Sequence, residues 1–242
     1  MREESNMGEK RFAIVTGGTG ALGTVVTEAL LKEGYQVAVP YTSERNIEPF
    51  ESQIGSRKAQ VTLVRTDLTV ETEVQNFVQT TLDKFGQIDV LVNTVGGFVG
   101  GIPVAEMAEE RWDFMMDLNL KSIFLCCKAV LPHMIERKCG KIVNTSARAG
   151  LSGIAGLGAY SVSKNGVRIL TESIAEEVKD LGINVNSLLV SIIDTPANRE
   201  GMPDEDHSRW VSPDDIAKVI LFLISDAAAI INGAAIPVYG RA

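Results

Sequence analysis

Tyr160 and Lys164 stand four residues apart in Tyr160-Ser161-Val162-Ser163-Lys164, near the start of a helical pattern. That spacing puts a phenol and an ammonium on one helix face, about one turn apart. An ammonium beside a phenol favours the phenolate, so the tyrosine can exchange a proton near neutral pH. Alone, such a pair is common on helix surfaces. It gains meaning from Thr16-Gly17-Gly18-Thr19-Gly20-Ala21-Leu22-Gly23, where Gly18, Gly20 and Gly23 keep the G-x-G-x-x-G spacing. Glycines there permit a tight turn and let backbone N–H groups reach a pyrophosphate at the positive end of a helix. The motif follows the first apolar run and opens a helix, which is the context a dinucleotide site requires.

Short β-branched runs alternate with longer amphipathic stretches. The runs are Phe12–Val15, Gln36–Val39, Val61–Val64, Ile88–Val92, Lys141–Val143, Ile183–Val190 and Ala235–Val238. Helical patterns between them include Gly20–Glu33, Val70–Phe85, Met107–Met134, Gly158–Leu181 and Ser212–Ile224. Near-continuous apolar strands separated by helices predict a parallel sheet covered on both faces. About seven strands and six helices make a single-domain Rossmann-type α/β fold, doubly wound, over residues 1–242. Residues 1–11 read as a polar lead. The long irregular stretch 194–210 reads as a lid over a substrate.

Composition narrows the partners. Lys+Arg 23 against Asp+Glu 31 gives a net charge of −8, which argues against binding nucleic acid or an anionic membrane surface. Three cysteines, with Cys126 and Cys127 adjacent, and two distant histidines, His133 and His207, support neither a disulfide framework nor a metal site. Cys126 and Cys127 read as core residues, His133 as structural and His207 as a solvated loop residue. Ser152, in Gly150-Leu151-Ser152-Gly153, is no nucleophile elbow. The opening MREESNMGEKR does not read as a signal peptide, and Met7 offers an alternative start. No apolar run approaches the ~20 residues that span a bilayer. The expectation is a soluble, cytoplasmic protein acting on a small molecule.

At the end of the second strand an acidic residue would hold an adenosine ribose diol. The chain reads Val39-Pro40-Tyr41-Thr42-Ser43-Glu44-Arg45, with Tyr41 at that position. The hydroxyls of Tyr41, Thr42 and Ser43, with Arg45, favour a 2′-phosphate, hence NADP(H) over NAD(H). Glu44 keeps ribose binding by NAD open.

With the glycine turn and the Tyr160/Lys164 pair together, the chain resembles the short-chain dehydrogenase/reductase family over essentially its whole length. Thr16, Gly17 and Gly23 match the family's glycine pattern, with Ala21 in place of its middle glycine. The resemblance implies a Rossmann fold, hydride transfer from a nicotinamide, and proton delivery by Tyr160. It implies that Lys164 tunes that tyrosine and holds the ribose, and that Asn119, in Asp117-Leu118-Asn119-Leu120, anchors a relay water. Cofactor contacts are implied at Asp67 and Leu68, at Asn93, Thr94, Val95 and Gly96, and at Ile193 and Thr195. Phe98 and Trp210 would lie near the cofactor mouth, where they could stack on a flat substrate. The family's usual dimer surfaces fall on the helices around Cys126 and over Gly158–Leu181, implying a homodimer or homotetramer.

Three positions depart from the family. The serine expected thirteen residues before the tyrosine is Ala147, the Pro-Gly after the sixth strand is Val190-Ser191, and the Asp-Gly near position 240 is Tyr239-Gly240. The first two follow the dihydropteridine reductase subgroup. So do Gly17–Gly23, Val95–Gly101, Asp194–Arg199, Met202–Asp204 and Ser208–Trp210. The resulting expectation is reduction of a small conjugated C=N or C=O substrate, dihydropteridine reductase-like. The alternatives are a 3-oxoacyl or general carbonyl reductase, supported by Asn119 and Tyr41-Thr42-Ser43, and a dinucleotide-binding protein without turnover.

Overall fold

The computed structural model describes residues 10–241. The polar lead and Met7 lie outside these, apart from Lys10 and Arg11, and Arg11 already belongs to the first strand, β1 (Arg11–Thr16). The other apolar runs become β2 (Tyr35–Tyr41), β3 (Val61–Arg65), β4 (Val90–Asn93), β5 (Gly140–Ala147), β6 (Ile183–Val190) and β7 (Ala235–Val238). The sheet is parallel throughout, in the order β3-β2-β1-β4-β5-β6-β7. The order reverses between β1 and β4, which opens a crevice at the carboxyl ends of those strands.

The described residues form eight α-helices: α1 (Ala21–Lys32), α2 (Ile47–Ile54), α3 (Glu71–Phe85), α4 (Glu109–Met116), α5 (Ser122–Arg137), α6 (Gly158–Val178), α7 (Pro196–Gly201) and α8 (Pro213–Ile224). Successive strand residues point to opposite faces, so each strand feeds two cores. Ala13, Val15, Val37, Val39 and Val143 pack with α1 and α8. Ile14, Ala38, Leu91 and Ile142 pack with α3, α5 and α6.

Two stretches differ from the sequence pattern. The helix expected over Met107–Met134 is broken into α4 and α5 by a π-turn at Asp117–Lys121. The irregular stretch 194–210 contains α7 and a 3-10 turn, His207–Arg209, each begun by a side-chain cap from Thr195 and Asp206.

Candidate active site

The glycine turn is shaped by the absence of side chains. Gly17 has φ +66, and a Cβ there would lie 2.9 Å from the Val95 nitrogen; a Cβ on Gly23 would lie 2.1 Å from the Gly17 oxygen. A Cβ on Gly18 would meet Val39 at 2.7 Å. The turn therefore packs directly on the end of β4 and on the first turn of α1. Side chains pin it there: Thr94 Oγ1 donates to Thr16 O (2.7 Å) and Thr24 Oγ1 to Gly18 O (3.2 Å). Gly20 N donates to Gly17 O, and Thr24 N makes the first intrahelical bond to Gly20 O. The amides of Ala21, Leu22 and Gly23 have no carbonyl within the helix to reach, and they stand at its positive end. Thr19 and Gly20 flank them at the surface. This cradle, open where a side chain would fill it, fits the pyrophosphate of a dinucleotide.

Tyr41 ends β2 directly beside Arg65 of β3, and Thr66 N donates to Tyr41 O (2.8 Å). Arg65 was not among the sequence-derived candidates; the β2–β3 register puts it there, and register is not written in either strand alone. Thr42 is exposed and Ser43 half-buried, ahead of a 3-10 turn at Glu44–Asn46. Asp67 is exposed at the end of β3, accepting from Thr69 N (2.9 Å) and Thr69 Oγ1 (2.7 Å), with Leu68 buried beneath it.

The chemical end is held by α6, β5 and the π-turn. Tyr160 and Lys164 lie in the first two turns of α6. Lys164 is buried and its Nζ donates to Thr145 O of β5 (3.0 Å). The π-turn turns Asn119 fully inward, where its Oδ1 accepts from Gly97 N (2.9 Å) and its Nδ2 donates to Gly97 O (3.1 Å) and Ser163 Oγ (3.1 Å). Ser163 in turn donates to Tyr160 O (2.8 Å). Asn119 and Lys164 converge on Gly96: a Cβ there would lie 2.9 Å from Asn119 Oδ1 and 3.0 Å from Lys164 Nζ.

One expectation about this pair is not met. No hydrogen bond joins the Tyr160 hydroxyl to Lys164 among the described residues, and burial pushes the phenol up to about 12. Burial also pushes the Lys164 ammonium down to about 8. Desolvation is the cause in both, because each group sits against protein rather than water. The tyrosine is thus a protonated donor at neutral pH, the state that suits reduction.

Other candidates separate by place. Asn93 is fully buried; its amide donates to Asn144 Oδ1 (2.8 Å) and accepts from Thr16 Oγ1 (3.0 Å), so it positions β1 and β5 rather than facing a ligand. Thr94, Val95 and Gly96 run from there along the floor between the glycine turn and Lys164. Phe98 meets the Tyr160 ring edge-on, with centroids 5.0 Å apart, and is 64% exposed. Trp210 is not brought to the tyrosine: it is buried against His207, with centroids 4.3 Å apart. Ile193 bridges to Val211, and Thr195 Oγ1 caps α7 by accepting from Asn198 N (3.2 Å). Ala147 is buried at the end of β5, and neighbouring Ser146 is turned into α6, donating to Lys164 O (2.6 Å). No group of three or more metal-binding side chains occurs among the described residues.

Comparison with known proteins agrees with this geometry. A family model described as short chain dehydrogenase matches residues 11–206. A (2S)-[(R)-hydroxy(phenyl)methyl]succinyl-CoA dehydrogenase subunit of Thauera aromatica is 33% identical, over 96% of each chain. A 3-oxoacyl-[acyl-carrier-protein] reductase of Thermotoga maritima is 30% identical, over 96% of this chain and 97% of its own. The solved structure "ElxO with NADP Bound" superposes with a TM-score of 0.90 at 27% identity, covering 96% of this chain and 98% of that one. These names describe CoA and carrier-protein acyl chemistry and an NADP complex, and none describes a pterin. With its glycine cradle, its Tyr160/Lys164/Asn119 cluster and a family match from β1 into the 194–210 segment, the chain belongs to the short-chain dehydrogenase/reductase family of NAD(P)-dependent oxidoreductases.

Proposed function

We propose that the protein is an NADP(H)-dependent carbonyl reductase acting on a small ketone or a 3-oxoacyl thioester. The observation that carries this is the convergence of Asn119 and Lys164 on Gly96, at the mouth of the dinucleotide cradle, with Asn119 linked through Ser163 to the backbone of Tyr160. When bound, NADP(H) supplies the hydride. Gly17–Gly23 hold its pyrophosphate, and Arg65 beside Tyr41, with Arg45 in the turn that follows, favours its 2′-phosphate over a free diol. Tyr160 donates the proton to the carbonyl oxygen as it gains charge. The Lys164 ammonium compensates the phenolate left behind, which recovers its proton through water ordered at the Asn119 turn. The segment 194–210 closes over the substrate. Phe98 and Val104, 64% and 78% exposed along the loop next to α6, offer an acyl tail an apolar wall.

A pterin substrate has Ala147 in its favour, since a quinonoid ring needs no second donor on a developing alkoxide. The relatives lend that reading nothing, and Asn119 and Tyr41 both depart from the pterin subgroup. In the ketone reading, Ala147 costs rate: a missing donor to an oxyanion typically removes roughly 3 kcal/mol of transition-state stabilisation.

Oxidation of NADPH and NADH by the purified protein, with ketones, 3-oxoacyl thioesters and quinonoid dihydropterin offered separately, tests this. Ketone- or thioester-dependent oxidation is expected, faster with NADPH, abolished by Tyr160→Phe and raised about tenfold or more by Ala147→Ser. Turnover confined to the dihydropterin would overturn the substrate assignment, and binding without any turnover would overturn the enzyme.

A further inference from the structure

The three family departures meet in space. Ala147, Val190 and Val238 are register partners on adjacent strands, Ala147 opposite Val190 and Val190 opposite Val238. The residues that follow them, Arg148, Ser191 and Tyr239, therefore leave the sheet side by side. They are joined: Ser191 Oγ donates to Tyr239 O (2.7 Å), and the Arg148 guanidinium lies over the Tyr239 ring, 5.1 Å from its centroid. Beyond Tyr239 the chain reaches the root of the 194–210 segment. Gly240 adopts φ +61, and a Cβ on it would lie 2.9 Å from Arg209 O and 3.0 Å from Val211 Cγ2. Arg241 N donates to Arg209 O (3.0 Å), and Arg209 Nε donates back to Arg241 O (2.9 Å). The same root is closed on its other side by Asp194 N to Val211 O (2.8 Å) and Val211 N to Ile192 O (3.0 Å).

We propose that Tyr239, Gly240 and Arg241 form a strap that fastens the 194–210 segment to the ends of β5 and β6, with Tyr239 as a positioning residue for substrate binding. Arg148, next to the alanine that replaces the catalytic serine, and Ser191, in place of the family's glycine, are the two anchors of the strap. The proposal rests on the reading of 194–210 as the substrate lid. A strap at the lid root acts on the closed state and leaves the proton-donating machinery on α6 alone. Loosening it therefore weakens substrate binding while the bound substrate still reacts, a rise in KM at nearly unchanged kcat.

Three variants test it: Tyr239→Ala removes the ring, Gly240→Ala forces a Cβ against Arg209 and Val211, and Tyr239→Phe keeps ring and backbone as the control. The readouts are steady-state kinetics and amide hydrogen exchange over residues 194–211. In Tyr239→Ala and Gly240→Ala, KM for the carbonyl substrate is expected to rise about tenfold with kcat within about twofold. Exchange over 194–211 should accelerate while that over α6 stays as in the wild type, and Tyr239→Phe should behave as the wild type. Unchanged exchange over 194–211 in both disruptive variants would overturn the strap. Accelerated exchange with unchanged KM would overturn its role in substrate binding. Exchange is read without turnover, so an enzyme inactive on every carbonyl would defeat the functional reading and still leave the strap decided.

Discussion

Lys164 carries opposed demands. In the proposed reaction it is charged to compensate a tyrosinate, yet it is buried, and burial has pushed its ammonium from the ordinary lysine value of 10.5 down to about 8. The unfolded chain therefore holds a proton on this lysine that the folded chain has lost between those two values. Stability from this residue rises with pH across that window, and the full cost of the buried charge falls below pH 8. That cost is of the order of 3 kcal/mol. Lys164→Met is expected to melt higher than the wild type at pH 7, by a margin that shrinks as the pH is raised from 8 to 10.5, while reductase activity falls at least about 100-fold. In the wild type, reductive turnover is expected to decline as pH rises through about 8, where the ammonium is lost. Thermal melts and a pH–rate profile check the two halves. The sequence disclosed the lysine and its tyrosine, but the direction of the tyrosine's shift follows from burial, and the partner that holds Lys164 is Thr145 O, a β5 backbone oxygen that no motif marks.

At the scale of elements, α5 docks on the start of β4 through one unusual bond: Ile88 N donates to His133 Nε2 (3.3 Å). The ring must then be neutral, with its proton on Nδ1. Burial first, then Arg137, hold its pKa below the usual 6.5. The unfolded histidine takes up a proton before the folded one does, so stability is expected to fall as pH drops below about 6.5 and level off below the depressed value. His133→Asn should flatten that part of the profile, as urea unfolding at a series of pH values would show. Legibility differed among elements for physical reasons. β6, whose eight residues are all buried, stood out, correctly bounded as Ile183–Val190, because Ile183, Val185, Leu188, Leu189 and Val190 outweigh its buried Asn184, Asn186 and Ser187. The π-turn at Asp117–Lys121 did not, because one extra residue per turn leaves the apolar spacing of a 28-residue stretch nearly intact. Helix α2 has only Phe50 and Ile54 buried, too few to set a period.

For the whole molecule, six of the exposed large apolar side chains lie on three helices, Trp112 and Phe114 on α4, Phe124 and Ile135 on α5, and Val162 and Ile169 on α6, while others such as Phe222 and Ile230 lie elsewhere. A covered face is the physical use of such a set, and a homodimer or homotetramer through α5 and α6 is the expected state. Light scattering should report a multiple of 26.1 kDa, and Ile169→Glu with Phe124→Glu should lower it to a single chain. The fold as a whole was readable because seven apolar runs and their intervening helices repeat one unit. The convergence of Ala147, Val190 and Tyr239 was not, since it depends on strand neighbours separated by dozens of residues.

Thr16 and Asn93, which join β1 to β4, are 77 residues apart in the chain, and Gly17 rests on Val95. The dinucleotide cradle therefore exists only after a long loop has closed, and no locally ordered fragment can offer it. Whatever occupies it binds the native chain and not the unfolded one, so occupancy adds to global stability by mass action. Amide exchange along the β1–β4 seam is then expected to slow when the cradle is occupied. For this chain, cofactor supply and protein lifetime are coupled through one seam in the middle of the sheet.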